Sequence, residues 1–455
     1  MALAYEDKTS TSQTNSIKNN AFLSGLAFKY SSGFSIWSTF NLTYDLNVGQ
    51  KPPGEKAGTW SSGLQDAIHL AIADVSSVCK ATFTEVDGSA DVEFWSYSAN
   101  DDYLGYSWAI TDAANRGVYV NSKSADSGLE FAYGSYDYIT VIHEFLHNMG
   151  LAHPHDSYAK FPGVKGSGTL GDYKLNQNVY TVMSYNDAAG LKTASGVETT
   201  GWTPDSYGYG VLGAFDIAML QKLYGANKTY NTGNDTYYLP KSDKAGTFYK
   251  AIWDAGGTDT FQFNGSQDAV IDLRPATLKL ADKERAGGAL SSADGVHGGF
   301  TIAKGTIIEN ATGGSGDDSL IGNGSANKLL GRGGADDLTG RNGKDILVGG
   351  NGMDTLRGGA DADVLKGQKG DDQLFGNGGP DKFVFSNNGS TDVVHDFADG
   401  SDRLKLIGFG FVDEDDALQH FDAMGANGVE FLFQGTVIEV YGVDKAHLDA
   451  TDLIV

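Results

Sequence analysis

The sequence predicts an α+β domain followed by an all-β parallel β-roll/β-sandwich domain. Three observations predict this. Residues His143 to Pro154 read HEFLHNMGLAHP inside a stretch of helical periodicity. Eight nonapeptides run without a gap from Gly313 to Val384. Between them, near Gly225, the composition shifts to short strand-like pieces rich in Gly and Asp.

The bulk numbers allow two or three domains: the chain has 455 residues, against roughly 100–200 per domain. Hydrophobic residues make up 40% and aromatics 11%, enough for a packed core. Glycine is abundant at 62 residues and proline scarce at 8, which points to a repeat of tight turns and away from collagen or Pro-rich linkers. The net charge of −25 disfavours nucleic acid and anionic membranes as partners and raises cation binding as a reading. The single cysteine, Cys79, excludes an internal disulfide framework and reads as a small buried apolar residue. No run of about 18 apolar residues occurs, so no membrane insertion is expected.

Along the chain, residues 1–20 are rich in Ser, Thr, Asn and Lys and read as a mobile tail or propeptide remnant. Residues 21–228 form the first domain and 229–455 the second. Strand patterns are expected at Phe34–Tyr44, Ala81–Glu85, Val92–Trp95 and Gly117–Val120. Helices are expected at Leu64–Cys79, Tyr136–Leu151 and Ala214–Leu223, the last stopped by Gly225.

The chemistry begins with spacing. His143 and His147 are four residues apart, so a helix presents both from one face, one turn apart. Glu144 lies beside them, placed to serve as a general base without being a ligand. Gly150 permits the positive φ of a sharp helix end, and the turn returns His153 to the same point. Three imidazoles leave a fourth position open, as a catalytic zinc site requires. One catalytic Zn²⁺ is therefore expected.

These residues resemble the metzincin pattern HExxHxxGxxH, with Tyr180–Tyr185, reading YTVMSY, as its methionine turn. Pro154 after the third histidine and Ser184-Tyr185 after Met183 look like the serralysin branch. The resemblance implies a metzincin protease domain in which Met183 packs beneath the histidines. It also implies that Tyr185 is a displaceable fifth zinc ligand and catalytic oxyanion stabiliser. Leu146 departs from the small residue usual in that branch, at a position that is not a ligand. His155 and Asp156 read as solvated loop residues. The family also implies broad cleavage of protein and peptide substrates lying along an edge strand, for which Gly117–Ser122 is the expected strand.

The eight nonapeptides match the GGxGxDxUx pattern of the calcium-binding parallel β-roll. Position 1 is Gly in all eight; position 6 is Asp in all but the second, where it is Asn327; position 8 is Leu in all but the last, where it is Phe383. The first six residues of each unit are expected to turn and the last three to form a short strand with position 8 inside. Calcium takes 6–8 oxygens, expected from carbonyls at positions 2 and 4 and the carboxylate at position 6. The candidate ligands are Gly314, Gly316 and Asp318; Asn323, Ser325 and Asn327; Arg332, Gly334 and Asp336; Arg341, Gly343 and Asp345; Gly350, Gly352 and Asp354; Gly359, Asp361 and Asp363; Gln368, Gly370 and Asp372; and Asn377, Gly379 and Asp381. Several structural Ca²⁺ ions are expected, and without them the stacked carboxylates repel. The serralysin resemblance implies further calcium ligands at Asp254, Gly256, Gly257 and Asp259, at Ile307 and Glu309, at Thr232, Asn234 and Thr236, and at Asp402.

The N-terminal stretch lacks a basic and an apolar region of a signal peptide, and the final LDATDLIV resembles a type I secretion signal. The expectation is a secreted, extracellular, monomeric protein exported by the type I machinery, with a proteinaceous inhibitor as a further partner. Two alternatives compete: a calcium-binding repeat protein such as an adhesin with an inactive protease relic, and a metzincin of another branch such as a matrixin.

Overall fold

The computed structural model describes residues 16–28, 37, 39–50, 52–99, 104–107, 117–122, 131–157, 159–186, 209–244, 246–282, 285–425 and 428–455. The packed chain begins before residue 20. Ile17 is fully buried, and Asn20 caps helix α1 (Ala21–Gly25) while its Nδ2 donates to the carbonyl of Leu278. These contacts correct the reading of 16–20 as tail; residues 1–15 lie outside the described set.

The first region holds a five-stranded sheet of β1 (Asn41–Asp45), β2 (Thr82–Glu85), β3 (Val92–Tyr97), β4 (Gly105–Ser107) and β5 (Gly117–Asn121), in the order β2-β1-β3-β5-β4. All pairs are parallel except β4 with β5. Helix α2 (Ser62–Val78) and the motif helix α3 (Tyr136–Asn148) pack on it, and α4 (Ala214–Tyr224) follows. The N-caps of α2 and α3 are Ser61 and Ser135, each accepting a backbone N–H in the first turn, as capping requires. Near-continuous burial on β3 and helical spacing on α2 put Phe94, Ile68, Ala71 and Val75 in one core with Phe145 and Leu146 of α3. Leu146 is thus fully buried behind the helix, and Cys79 is buried as expected.

Order β3-β5-β4 overturns one expectation. Strand β5, within Gly117–Ser122, has neighbours on both sides and is no edge; the edges of this sheet among the described residues are β2 and β4, and β4 is the one that lies against α3. The signal was faint because β4 is three residues long.

The second region winds between two mostly parallel sheets. One contains Lys328–Gly333, Ile346–Asn351, Val364–Lys369 and Lys382–Ser386; the other contains Ser319–Ile321, Asp337–Asn342, Thr355–Ala360 and Gln373–Gly378. Each strand pairs with one eighteen residues away, as in Leu329↔Leu347 and Leu347↔Leu365, so consecutive nonapeptides alternate between the sheets. Leu320, Leu329, Leu338, Leu347, Leu356, Leu365, Leu374 and Phe383 are all fully buried in one core. The strands are longer than three residues. Six-residue strands continue through position 3 of the next unit, because pairing resumes beyond the position-1 glycine, as in Arg332↔Gly350. The sheets extend upstream through Asn310–Thr312, Thr260–Gln262 and Thr236–Tyr238.

The two cores meet over a broad seam. Tyr249, Ala251, Trp253, Ala276, Leu278, Ala286 and Ala303 belong to the first core although they follow residue 228. Lys250 Nζ lies 3.0 Å from Asp74 Oδ1, and Tyr133 and Tyr138 donate to the same carboxylate. This buried, fully hydrogen-bonded pair ties the start of α3 to the strand at Lys250.

Candidate metal centre

Helix α3 ends where the motif demands. Gly150 has φ 94°, a conformation open to glycine, and the helix-terminal carbonyls find donors: Trp37 Nε1 to Asn148 O at 3.2 Å and Tyr224 Oη to Met149 O at 2.9 Å. Such groups need partners when buried. The chain then returns His153 to the face carrying His143 and His147.

Each imidazole is oriented through its Nδ1. His143 Nδ1 faces Val182 O and His147 Nδ1 faces Leu151 O, both at 2.8 Å. His153 Nδ1 faces Asp156 at 3.2 Å. These acceptors place the proton on Nδ1 and leave the lone pair on Nε2. The Nε2 atoms converge: His153 Nε2 lies 3.1 Å from that of His143 and 3.0 Å from that of His147. Tyr185 Oη sits 2.8 Å from His153 Nε2. Burial holds His143 down to about 3 and His147 well below the usual range, with neighbouring His153 adding to the effect in both. Three Nε2 atoms aimed at one point fit a single cation with Zn–N distances of about 2.0–2.1 Å. The three histidines are one of three candidate metal clusters among the described residues.

Glu144 flanks this point. Burial pushes its carboxyl up to about 8, opposed by a backbone hydrogen bond from Ser107 on β4. Gly105 on the same strand lets α3 come close, since a Cβ there would meet Tyr119 O at 2.8 Å and Glu144 Cγ at 3.0 Å.

Met183 is fully buried and follows Val182, whose carbonyl faces His143 Nδ1. The turn is held by Asp216 of α4, which accepts from Thr181 Oγ1 at 2.5 Å, Val182 N at 2.8 Å and Gly213 N at 2.9 Å. Burial raises the Asp216 carboxyl to about 7 against these three bonds. Sequence reasoning missed this residue; an acid at the third helical position, able to accept the N-cap N–H as Asp216 does from Gly213, is one half of a capping box and could have found it. His155 and Asp156 are also corrected. Asp156 fixes the His153 ring, and His155 stacks on it with centroids 4.9 Å apart; neither is a freely solvated side chain.

The roll presents a second kind of site. The position-6 carboxylates form ladders in which one oxygen accepts the N–H of the residue eighteen earlier. Examples are Asp318 N to Asp336 Oδ1 at 2.8 Å and Asp345 N to Asp363 Oδ1 at 2.8 Å. The other oxygen of Asp336, Asp345, Asp354, Asp363, Asp372 and Asp381 is buried without any partner. An orphaned carboxylate oxygen is costly, and burial raises these carboxyls to about 6–8. The glycine rule also has a cause: a Cβ on Gly331 would stand 2.1 Å from Asp336 Oδ2. From the third unit on, positions 2 and 4 take positive φ even where they are not glycine, as at Arg332 (82°), Arg341 (86°), Asp361 (79°), Gln368 (78°) and Asn377 (63°).

Upstream, Asp254 and Asp259 join Asp235 in a three-carboxylate cluster, with Asp259 Oδ2 orphaned. Asp235 was missed in favour of its neighbour Asn234, whose Oδ1 instead accepts Thr258 N at 2.9 Å. Glu309 accepts Asp259 N at 2.8 Å, and Gly256 N bonds Asp254 at 2.8 Å. Gly257 passes close to Gly233 O, Thr232 is exposed and Thr236 opens a strand. Ile307 is half-exposed. Asp402 ends one ladder with both oxygens bonded, to Asp381 N and Ala398 N.

A three-histidine candidate metal centre is thus joined to a parallel roll with acidic turns. The profile of the family described as Peptidase M10 serralysin C terminal matches residues 215–442. The chain belongs to this family. It is similar to metallopeptidase AprA of Pseudomonas marginalis, 32% identical over 288 residues, which cover 56% of this chain and 53% of that protein. It is also similar to metalloprotease AprA of Pseudomonas entomophila, 32% identical over 320 residues, 65% of this chain and 56% of that protein. Serralysin of Proteus mirabilis is 31% identical over 300 residues, 62% of this chain and 55% of that protein. The chain thus spans a little over half the length of these relatives. Among the described residues no helix is long and apolar enough to cross a membrane.

Proposed function

We propose that this protein is a secreted zinc metalloendopeptidase of broad specificity whose C-terminal roll folds on calcium. The observation that carries the reading is the convergence of three Nδ1-tethered imidazoles on one point beside Glu144. His143, His147 and His153 would hold the zinc, with Tyr185 as a fifth group. When bound, zinc supplies a Lewis acid that polarises the scissile carbonyl and acidifies water toward about pH 7. Glu144 takes the proton from the attacking water and delivers it to the leaving amine. Its desolvated setting raises its basicity for that transfer. Tyr185 Oη, on an exposed side chain, can withdraw from His153 and donate to the developing oxyanion. Strand β4 offers its free edge to an extended substrate, by main-chain pairing, next to Glu144.

In the second domain, the orphaned oxygens of six ladder aspartates, with Asp235, Asp254, Asp259 and Glu309 upstream, supply the acidic donors that calcium takes. The carbonyls at positions 2 and 4 of the repeats complete their shells. Folding on calcium suits export by the type I machinery before the roll closes. A proteinaceous inhibitor would compete at the same cleft.

Casein hydrolysis with and without a zinc chelator tests the enzymatic reading, together with metal analysis of the purified chain. One zinc and several calcium ions per chain are expected. No hydrolysis by the zinc-loaded chain would overturn the reading in favour of a binding protein carrying an inactive centre, and hydrolysis that persists with no zinc bound would overturn the role given to the metal.

A further inference from the structure

The second nonapeptide is built differently from those that follow. At its sixth position stands Asn327, 3% exposed, and at its second Asn323, 8% exposed. Asn327 Nδ2 donates to Glu309 O at 3.0 Å and to Asn323 Oδ1 at 3.3 Å, while its Oδ1 accepts Asn323 N at 2.8 Å. Asn323 Nδ2 donates to Ile308 O at 2.7 Å and Leu273 O at 3.2 Å, and its Oδ1 accepts Ser325 N at 2.9 Å. Each amide has one possible orientation, because carbonyls face the nitrogen and backbone N–H groups face the oxygen. Neither side chain leaves an orphaned atom, in contrast to the aspartates of the six later units.

We propose that the second nonapeptide is a calcium-free turn, in which the hydrogen bonds of the Asn327 amide satisfy what an ion satisfies in the later turns: its Oδ1, the counterpart of their orphaned oxygen, accepts Asn323 N. The inference rests on the calcium reading of the roll and corrects, for this unit, the expectation that Asn323, Ser325 and Asn327 are ligands. The chemistry is direct. A carboxylate at 327 would set an oxygen against the Glu309 carbonyl and the Asn323 Oδ1 at hydrogen-bond distance, an arrangement that needs a cation between them. The amide supplies two N–H groups instead, so the turn closes with no charge to neutralise. Its partners, Leu273, Ile308 and Glu309, lie on the preceding loops, so the turn fastens the roll to them without an ion. This makes the unit a starting register on which the calcium-dependent coils stack.

Calcium counting on the full-length chain tests this, using Asn327→Asp and Asn327→Ala, with amide hydrogen exchange of 322–330 in excess chelator as a second measurement. The Asp variant should bind one more calcium than wild type. The Ala variant should bind the same number and lose at least ten-fold in the chelator-resistant protection of 322–330. An unchanged count in the Asp variant, or one fewer ion in the Ala variant, overturns the proposal. If the Asp variant fails to fold, the Ala variant and the exchange data still decide. Wild type with no calcium at all would instead sink the calcium reading of the whole roll.

Discussion

The histidine centre and the acidic ladders both gather polar groups out of water, but they stand at different distances from a finished site. At the centre, every Nδ1 has its acceptor, and three rings sit in place with their Nε2 atoms turned to one point. In the ladders, six carboxylates from Asp336 to Asp381 have one oxygen satisfied by a backbone N–H and the other by nothing. The first site is held by its own hydrogen bonds; the second leaves buried oxygens for which the proposed calcium is the partner. Metal binding should therefore govern activity in one region and folding in the other.

The largest expected effect is calcium withdrawal. Each site filled at 100 times its dissociation constant contributes about 2.7 kcal/mol, and six orphaned ladder oxygens imply several sites. A calcium-selective chelator should abolish most of the β-sheet circular dichroism while the helical signal of the first region outlasts it. Retention of the sheet signal would erase the contrast between the two regions.

Next is Glu144→Ala. Loss of the general base should lower kcat for a peptide substrate about 10²–10⁴-fold, with unchanged thermal unfolding and zinc content. Activity within ten-fold of wild type would sink the assigned role.

Leu356→Ala sharpens the comparison from the roll's side. It removes a fully buried rung of the leucine stack and should cost about 2–5 kcal/mol in calcium-loaded unfolding. Zinc content and kcat should be unaltered.

Asp156→Asn probes preorganisation at the histidine centre. An outer partner of a ligating histidine contributes about 10–100-fold in metal affinity, so zinc competition should show a weakening in that range. An unaltered affinity would mean His153 needs no such tether.

The smallest expected effect is on the chelated roll and depends on pH. Carboxyls raised to about 6–8 in the folded chain, against an ordinary value of about 3.9, bind protons more readily folded than unfolded. Their contribution to stability is present below about pH 4 and is lost as the pH climbs through about 6–8. Residual sheet structure in chelator should be greater at pH 4.5 than at pH 8; the reverse order would refute the assignment of buried, unpaired carboxylates.

Much of this was legible in the sequence because it is periodic or local. The helices at 62–78, 136–148 and 214–224 follow apolar spacing and glycine stops, and the leucine stack follows a strict nine-residue count. The groups that were not legible act at long range. Asp216 meets Thr181 across 35 positions, and which acid fills the upstream cluster, Asp235 or its neighbour, depends on which side the backbone turns. The edge strand escaped notice because three residues carry no pattern, and the true strand length because pairing survives a turn that looked like its end.

The alternation of nonapeptides between two sheets makes the length of the roll quantised. Removing residues 349–366, two whole units, rejoins each flank to itself and leaves a shorter roll of the same kind. Removing a single unit joins opposite flanks, so every later turn changes sides and the closing strand arrives at the wrong sheet. Such a chain can lengthen or shorten by pairs of units as readily as adding stairs to a two-sided staircase, whereas an odd change is a fault that must be corrected elsewhere.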